Sequence, residues 1–136
     1  MVTRTKSLIA IVEDEEPIRK ALRRLVRSAG MDVTSFPSGV DFLESLTNQL
    51  PDCVVLDLQM PVMNGFEVQA RLADLRVGIP VVIITGHDSD ETRALALAGF
   101  PVAYLRKPVN DQLMLDAIAL ALRRSPQQLG ARNDDF

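Results

Sequence analysis

Cys53-Val54-Val55-Leu56-Asp57 decides how the rest of this chain is read. An unbroken apolar run of this length has the pattern of a strand buried on both faces, and such a strand accepts a charge only at its end. Upstream, Leu8-Ile9-Ala10-Ile11-Val12 is a second such run, and it closes on Glu13-Asp14. In open α/β sheets ligands bind outside the carboxyl ends of the strands. Two buried strands that both end in carboxylate predict an acidic pocket that holds a cation and does chemistry on an aspartate.

Further outward the same alternation continues. Apolar runs near 7–12, 31–36, 52–57, 80–84 and 101–105 are separated by helix-like segments near 16–29, 38–48, 66–75, 90–98 and 110–123. Strands alternating with helices predict a parallel sheet covered on both faces, a doubly wound α/β fold. In the first helix Ile18, Ala21, Leu22, Leu25 and Val26 have the spacing of a core-facing stripe. Pro17 suits its first turn, Glu15 and Glu16 its positive end, and Gly30 its stop. Ser38 with Asp41 resembles a capping box, and Asn110 and Asp111 offer caps for the last helix.

With 136 residues the chain has room for one ordinary domain, expected over 1–124, with 125–136 as a polar, disordered tail and no output domain after it. No apolar stretch approaches the roughly 18 residues of a membrane span, and the polar, basic start is no signal peptide. A cytoplasmic protein with no membrane partner is expected. The net charge of −3 offers no general attraction to nucleic acid. Cys53 is the only cysteine, so no internal disulfide or thiolate metal site can form, and buried filler is its expected role.

The strand ends carry Val12-Glu13-Asp14-Glu15, then Asp57-Leu58-Gln59-Met60-Pro61-Val62-Met63-Asn64-Gly65, Ile84-Thr85-Gly86 and Tyr104-Leu105-Arg106-Lys107-Pro108. Together and in this order they resemble the response-regulator receiver domain of two-component signalling, in its stand-alone form, from about Leu8 to Leu122. The resemblance implies a flavodoxin-like strand order 2-1-3-4-5. It implies that Asp57 accepts a phosphoryl group from a phosphohistidine of a histidine kinase or histidine phosphotransferase. Asp14, Asp57 and the backbone carbonyl of Gln59 would ligate Mg²⁺, with Glu13 reaching it directly or through water.

The chemistry of these residue types agrees. Glu13, Asp14 and Asp57 outweigh the single cation Lys107, so an incoming phosphoryl group is repelled unless a divalent ion neutralises the pocket. Lys107 would pair with one phosphoryl oxygen and the Thr85 hydroxyl with another. Such a protein is no enzyme beyond promoting its own phosphorylation and slow dephosphorylation. The family also implies a cis Lys107–Pro108 bond and a switch in which Thr85 moves toward the phosphoryl group while Tyr104 turns inward. Its output would be binding of a downstream protein, or of a second copy, through helix four, strand five and helix five. Leu113, Leu115, Ala119 and Leu120 lie outside the core stripe of that last helix.

Other residues have plainer readings. Arg19, Lys20, Arg23, Arg24 and Arg27 form a solvated basic face, partly paired with Glu15 and Glu16, or else a docking surface for a kinase. His87 is a loop residue beside the site. Pro61 and Gly65 belong to a loop, with Gly65 supplying a positive φ or merely ending the preceding structure. Three alternatives fit less well. A flavodoxin-like cofactor binder is disfavoured by the acidic loop at residues 13–16. An aspartate-nucleophile phosphohydrolase would carry a second aspartate where Gln59 stands. A receiver-like module never phosphorylated has no need of the full acceptor set.

Overall fold

The computed structural model describes residues 6–126. Ten elements alternate along the chain: β1 (Leu8–Val12), α1 (Glu16–Ser28), β2 (Asp32–Phe36), α2 (Gly39–Ser45), β3 (Cys53–Asp57), α3 (Gly65–Leu75), β4 (Val81–Thr85), α4 (Asp90–Leu97), β5 (Ala103–Arg106) and α5 (Asp111–Arg124). The strands are all parallel in the order β2-β1-β3-β4-β5, as expected. Every residue of β1 and β3 is buried, which accounts for their unbroken apolar sequences.

Side chains alternate across a strand, so each strand feeds two cores. Ile9, Ile11, Cys53, Val55, Val82 and Ile84 face Leu22 and Val26 of α1 and Met114 and Ile118 of α5. Ala10, Val12, Val54, Leu56 and Ile83 face Phe42 of α2, Val68 and Leu72 of α3, and Ala96 of α4. Burying one such aliphatic side chain is worth about 1.5–3 kcal/mol, so both layers hold the sheet.

Helix starts are set by side chains that satisfy the first free N–H groups. Ser38 Oγ accepts from Asp41 N, Ser89 Oγ from Thr92 N, and Asn110 Oδ1 from Leu113 N. Asn64 and Glu67 form a full reciprocal box at α3, a pattern legible in the sequence but not expected there. Glu15 precedes α1 without a side-chain cap, and Pro17 occupies its first turn. Gly30 (φ 85°) and Gly78 (φ 68°) take left-handed conformations that favour glycine.

One expectation needs correction. Ala21 is exposed, leaving Leu22 and Val26 as the buried residues of α1. Of the expected tail 125–136, Ser125 is buried and Pro126 exposed; residues 127–136 lie outside the described part.

Candidate functional site

The order β2-β1-β3 places the reversal of the winding between β1 and β3, and ligand crevices form at such a point. Asp57 ends β3, and Glu13 is one residue past β1. Their positions continue the face of Cys53 and Val55 and of Ile9 and Ile11, so both carboxylates turn the same way. With Asp14 they form a cluster whose carboxylate oxygens all lie within 4.8 Å of one another. Lys107, one residue past β5, reaches in from the other side. Its Nζ lies 2.7 Å from Glu13 Oε1 and 3.3 Å from Asp57 Oδ1.

Burial dominates the electrostatics. Glu13 is fully buried, and loss of hydration, reinforced by the Asp57 charge, pushes its carboxyl up to about 7 despite the Lys107 ammonium. Burial also raises Asp57, with Lys107 pulling the other way. For Lys107 burial alone would lower the ammonium, but the two carboxylates outweigh it and hold it above its ordinary range. Glu13 Oε1, Asp14 Oδ1 and Asp57 Oδ1 are buried without an aligned hydrogen-bond donor, so the lysine contacts are ionic rather than directional. A largely buried cluster of three carboxylates with no histidine or cysteine in it fits a hard cation such as Mg²⁺.

Neighbouring groups fix the loops. Arg19, expected on a solvated basic face, instead folds back, and its Nη1 donates to the carbonyls of Glu13 (2.8 Å) and Asp14 (3.4 Å). Lys20 follows expectation and pairs with Glu16 at 2.9 Å. Gly65 has no positive φ. It is required by close approach, because a Cβ there would lie 2.5 Å from the Asp57 carbonyl oxygen and 2.8 Å from Leu58 Cα. The positive φ of this loop belongs to Val62 (67°), at the centre of a γ-turn closed by Met63 N donating to Pro61 O. Val62 is 96% exposed, so a strained β-branched residue sits at the loop tip beside the site.

Thr85 is the last residue of β4 rather than the first after it. Its hydroxyl donates to Gln59 Oε1 at 2.8 Å and accepts from His87 N at 3.1 Å. The Gln59 side chain therefore engages Thr85, a contact that the reading of Gln59 for its backbone carbonyl did not foresee. His87 is exposed and touches the site through its backbone. The Lys107–Pro108 bond is cis, as the resemblance implied.

Tyr104 pairs in register with Ile83, two residues before Thr85, so both face the α4 side of the sheet. Its hydroxyl donates to Asp88 Oδ1 at 2.8 Å, and Arg93 covers its ring at 5.1 Å. Asp88 also faces Arg93 (3.4 Å) and Arg106 (3.8 Å). Asp88 carries no motif signal, and only the folded loop brings it to the tyrosine. On α4 and α5, Leu95, Leu97, Leu113 and Leu120 are exposed, as is Phe100 between α4 and β5, while Leu115 is half-buried.

Comparison with known proteins agrees with this geometry. The family profile of the response regulator receiver domain matches residues 9–119. Nodulation protein W of Bradyrhizobium diazoefficiens is 36% identical over 128 residues, covering 94% of this chain and 56% of that protein. Response regulator protein TmoT of Ectopseudomonas mendocina is 37% identical over 123 residues, covering 90% and 56%. The chain thus spans little more than half the length of these relatives. A response regulator receiver protein structure from Burkholderia phymatum superposes with a TM-score of 0.77 at 43% identity, covering 89% of this chain and 99% of that one. No helix among the described residues is long and apolar enough to cross a membrane. With the profile spanning both cores and every strand end that lines the acidic crevice, the chain belongs to the response regulator receiver domain family of two-component signalling.

Proposed function

We propose that this receiver takes a phosphoryl group on Asp57 from a phosphohistidine of a histidine kinase or histidine phosphotransferase. The observation that carries the reading is the convergence of Glu13, Asp14, Asp57 and Lys107 at the β1–β3 crevice, with one buried oxygen of each acid lacking a directional partner. In the transfer an Asp57 oxygen forms a bond to phosphorus as the phosphorus–nitrogen bond to imidazole breaks, and the imidazole, already protonated on its other ring nitrogen, departs neutral with the electron pair of the broken bond.

Asp14 and Asp57, with the Gln59 carbonyl, would hold Mg²⁺, and Glu13 would do so directly or through water. Bound there, the ion neutralises excess carboxylate charge and orients phosphoryl oxygens. Lys107 meets the developing charge on a phosphoryl oxygen, which requires it to leave part of its contact with Glu13. The Thr85 hydroxyl donates to another oxygen after giving up Gln59. Arg19 keeps the β1–α1 loop in place by its two carbonyl contacts. Gly65 lets the chain pass against the Asp57 carbonyl.

The protein acts as a phosphoacceptor that promotes its own phosphorylation and slow dephosphorylation and turns over no separate substrate. It works in the cytoplasm. Its output is protein binding, to a downstream partner or a second copy, through α4, β5 and α5, where Leu95, Leu97, Leu113 and Leu120 are exposed.

Labelling with a small-molecule phosphodonor tests the assignment. The wild type should take up alkali-labile, hydroxylamine-sensitive phosphate only with Mg²⁺ present, and Asp57→Asn should take up none. Undiminished labelling of that variant would sink the assignment.

A further inference from the structure

We infer that Asp88 is a latch on Tyr104, a positioning residue that holds the ring against the segment after β4 and limits how much protein occupies the phosphorylated-state arrangement before phosphorylation. The inference rests on the phosphoacceptor reading above and names a regulator of that same site. Its basis is the tyrosine's own contacts. The hydroxyl gives its proton to Asp88 Oδ1 at 2.8 Å. The other carboxylate oxygen, Oδ2, faces Arg93 Nη2 at 3.4 Å and Arg106 Nη1 at 3.8 Å, so the acceptor is held in turn from α4 and from β5. Arg93 also lies over the ring, so an inward rotation gives up a charge-assisted hydrogen bond and a cation–π contact together.

The latch shares a loop with the other half of the switch. Asp88 stands three residues after Thr85, and the intervening His87 N–H donates to the Thr85 hydroxyl at 3.1 Å. Thr85 and Tyr104 are thus tied to the two ends of one short segment. Drawing the hydroxyl toward a phosphoryl group breaks the His87 tie and loosens the segment that presents Asp88. The ring also has room to move: a cleft of about 610 Å³ is lined jointly by Thr85, Gly86, Asp88, Arg93, Tyr104 and Lys107. A latch of this kind lowers the population competent for the phosphorylated arrangement, and the apparent affinity for a phosphoryl group falls by the same factor.

The experiment is titration with beryllofluoride and Mg²⁺, read from the NMR signals of the Tyr104 ring, which belong to the sole tyrosine of the chain. Without the mimic, Asp88→Ala should move the ring signals toward their mimic-bound position. It should also bind the mimic roughly three- to tenfold more tightly, the weight of one partly exposed charged hydrogen bond. Asp88→Asn keeps an acceptor oxygen and should fall between Asp88→Ala and the wild type, a rescue that a merely structural role would not produce. Tyr104→Phe deletes only the donor and should tighten binding by a similar factor, which serves if Asp88→Ala fails to fold. A mimic that moves Tyr104 in the wild type, with unchanged ring position and affinity in Asp88→Ala or unchanged affinity in Tyr104→Phe, overturns the latch and leaves the phosphoacceptor reading standing. A wild type that binds no mimic overturns that reading and the latch with it.

Discussion

Lys107 lies closer to Glu13 than to Asp57, 2.7 Å against 3.3 Å from its Nζ. Glu13 is fully buried, and burial raises its carboxyl to about 7. The lysine therefore has an anchor that does not depend on the phosphoacceptor.

This anchor predicts the stability of Asp57→Asn. The amide keeps the shape of the side chain, and Lys107 stays paired with Glu13. Removing a carboxylate whose protonation burial favours relieves repulsion within the acid cluster. In chelator-treated protein the variant should be as stable as the wild type or more stable by about 1 kcal/mol, the scale of one desolvated polar group. Urea unfolding would reveal it, and a loss of more than that amount contradicts the account.

Gly65→Ala should be costly where Gly86→Ala is not. A Cβ at Gly65 meets backbone, the Asp57 carbonyl and Leu58 Cα, neither of which can swing aside. A Cβ at Gly86 meets only Lys107 Cδ at 3.7 Å, an ordinary contact. We expect the first to destabilise by about 1–3 kcal/mol and to slow labelling by displacing the end of β3. The second should stay within about 0.5 kcal/mol. Equal effects at the two positions would refute the close-approach argument.

The hydroxyl of Tyr104 should ionise near pH 12, raised first by burial and then by its bond to Asp88. Because the folded state holds this proton more tightly than the unfolded chain, the contribution to stability is complete below about pH 10 and is lost as pH rises through about 12. Absorbance at the tyrosinate band reads it directly, since the chain has one tyrosine and no tryptophan. A midpoint near the ordinary value of about 10 would show that the ring is neither enclosed nor bonded to Asp88.

The exposed leucines test the output face. Leu113 is 56% exposed and Leu120 36%, so Leu113→Glu and Leu120→Glu should fold with stability changed by less than about 1 kcal/mol. Half-buried Leu115 is a poorer probe, since a charge there also disturbs packing. Light scattering with and without beryllofluoride should show association that either substitution weakens. Unchanged association and partner capture in both variants would remove the patch from the mechanism.

The sequence by itself determined the layered fold and the acids at its strand ends. Unbroken apolar runs leave a strand nowhere to put a charge except its terminus, so Glu13 and Asp57 were legible as site residues. Local pattern likewise marked the caps at Ser38 and Asn110, because a cap bonds within three residues of itself. Only the tertiary structure decided the contacts that bridge separate elements. Arg19 looks like one of several surface arginines until the β1–α1 loop presents its carbonyls. Gly65 reads as a turn glycine until the Asp57 carbonyl lies against it. Asp88 is one more loop acid until β5 brings Tyr104 beside it. Periodicity encodes which side of an element is apolar, whereas these partners are 6, 8 and 16 positions apart along the chain and meet only when packed strands and loops bring them within hydrogen-bond or van der Waals reach.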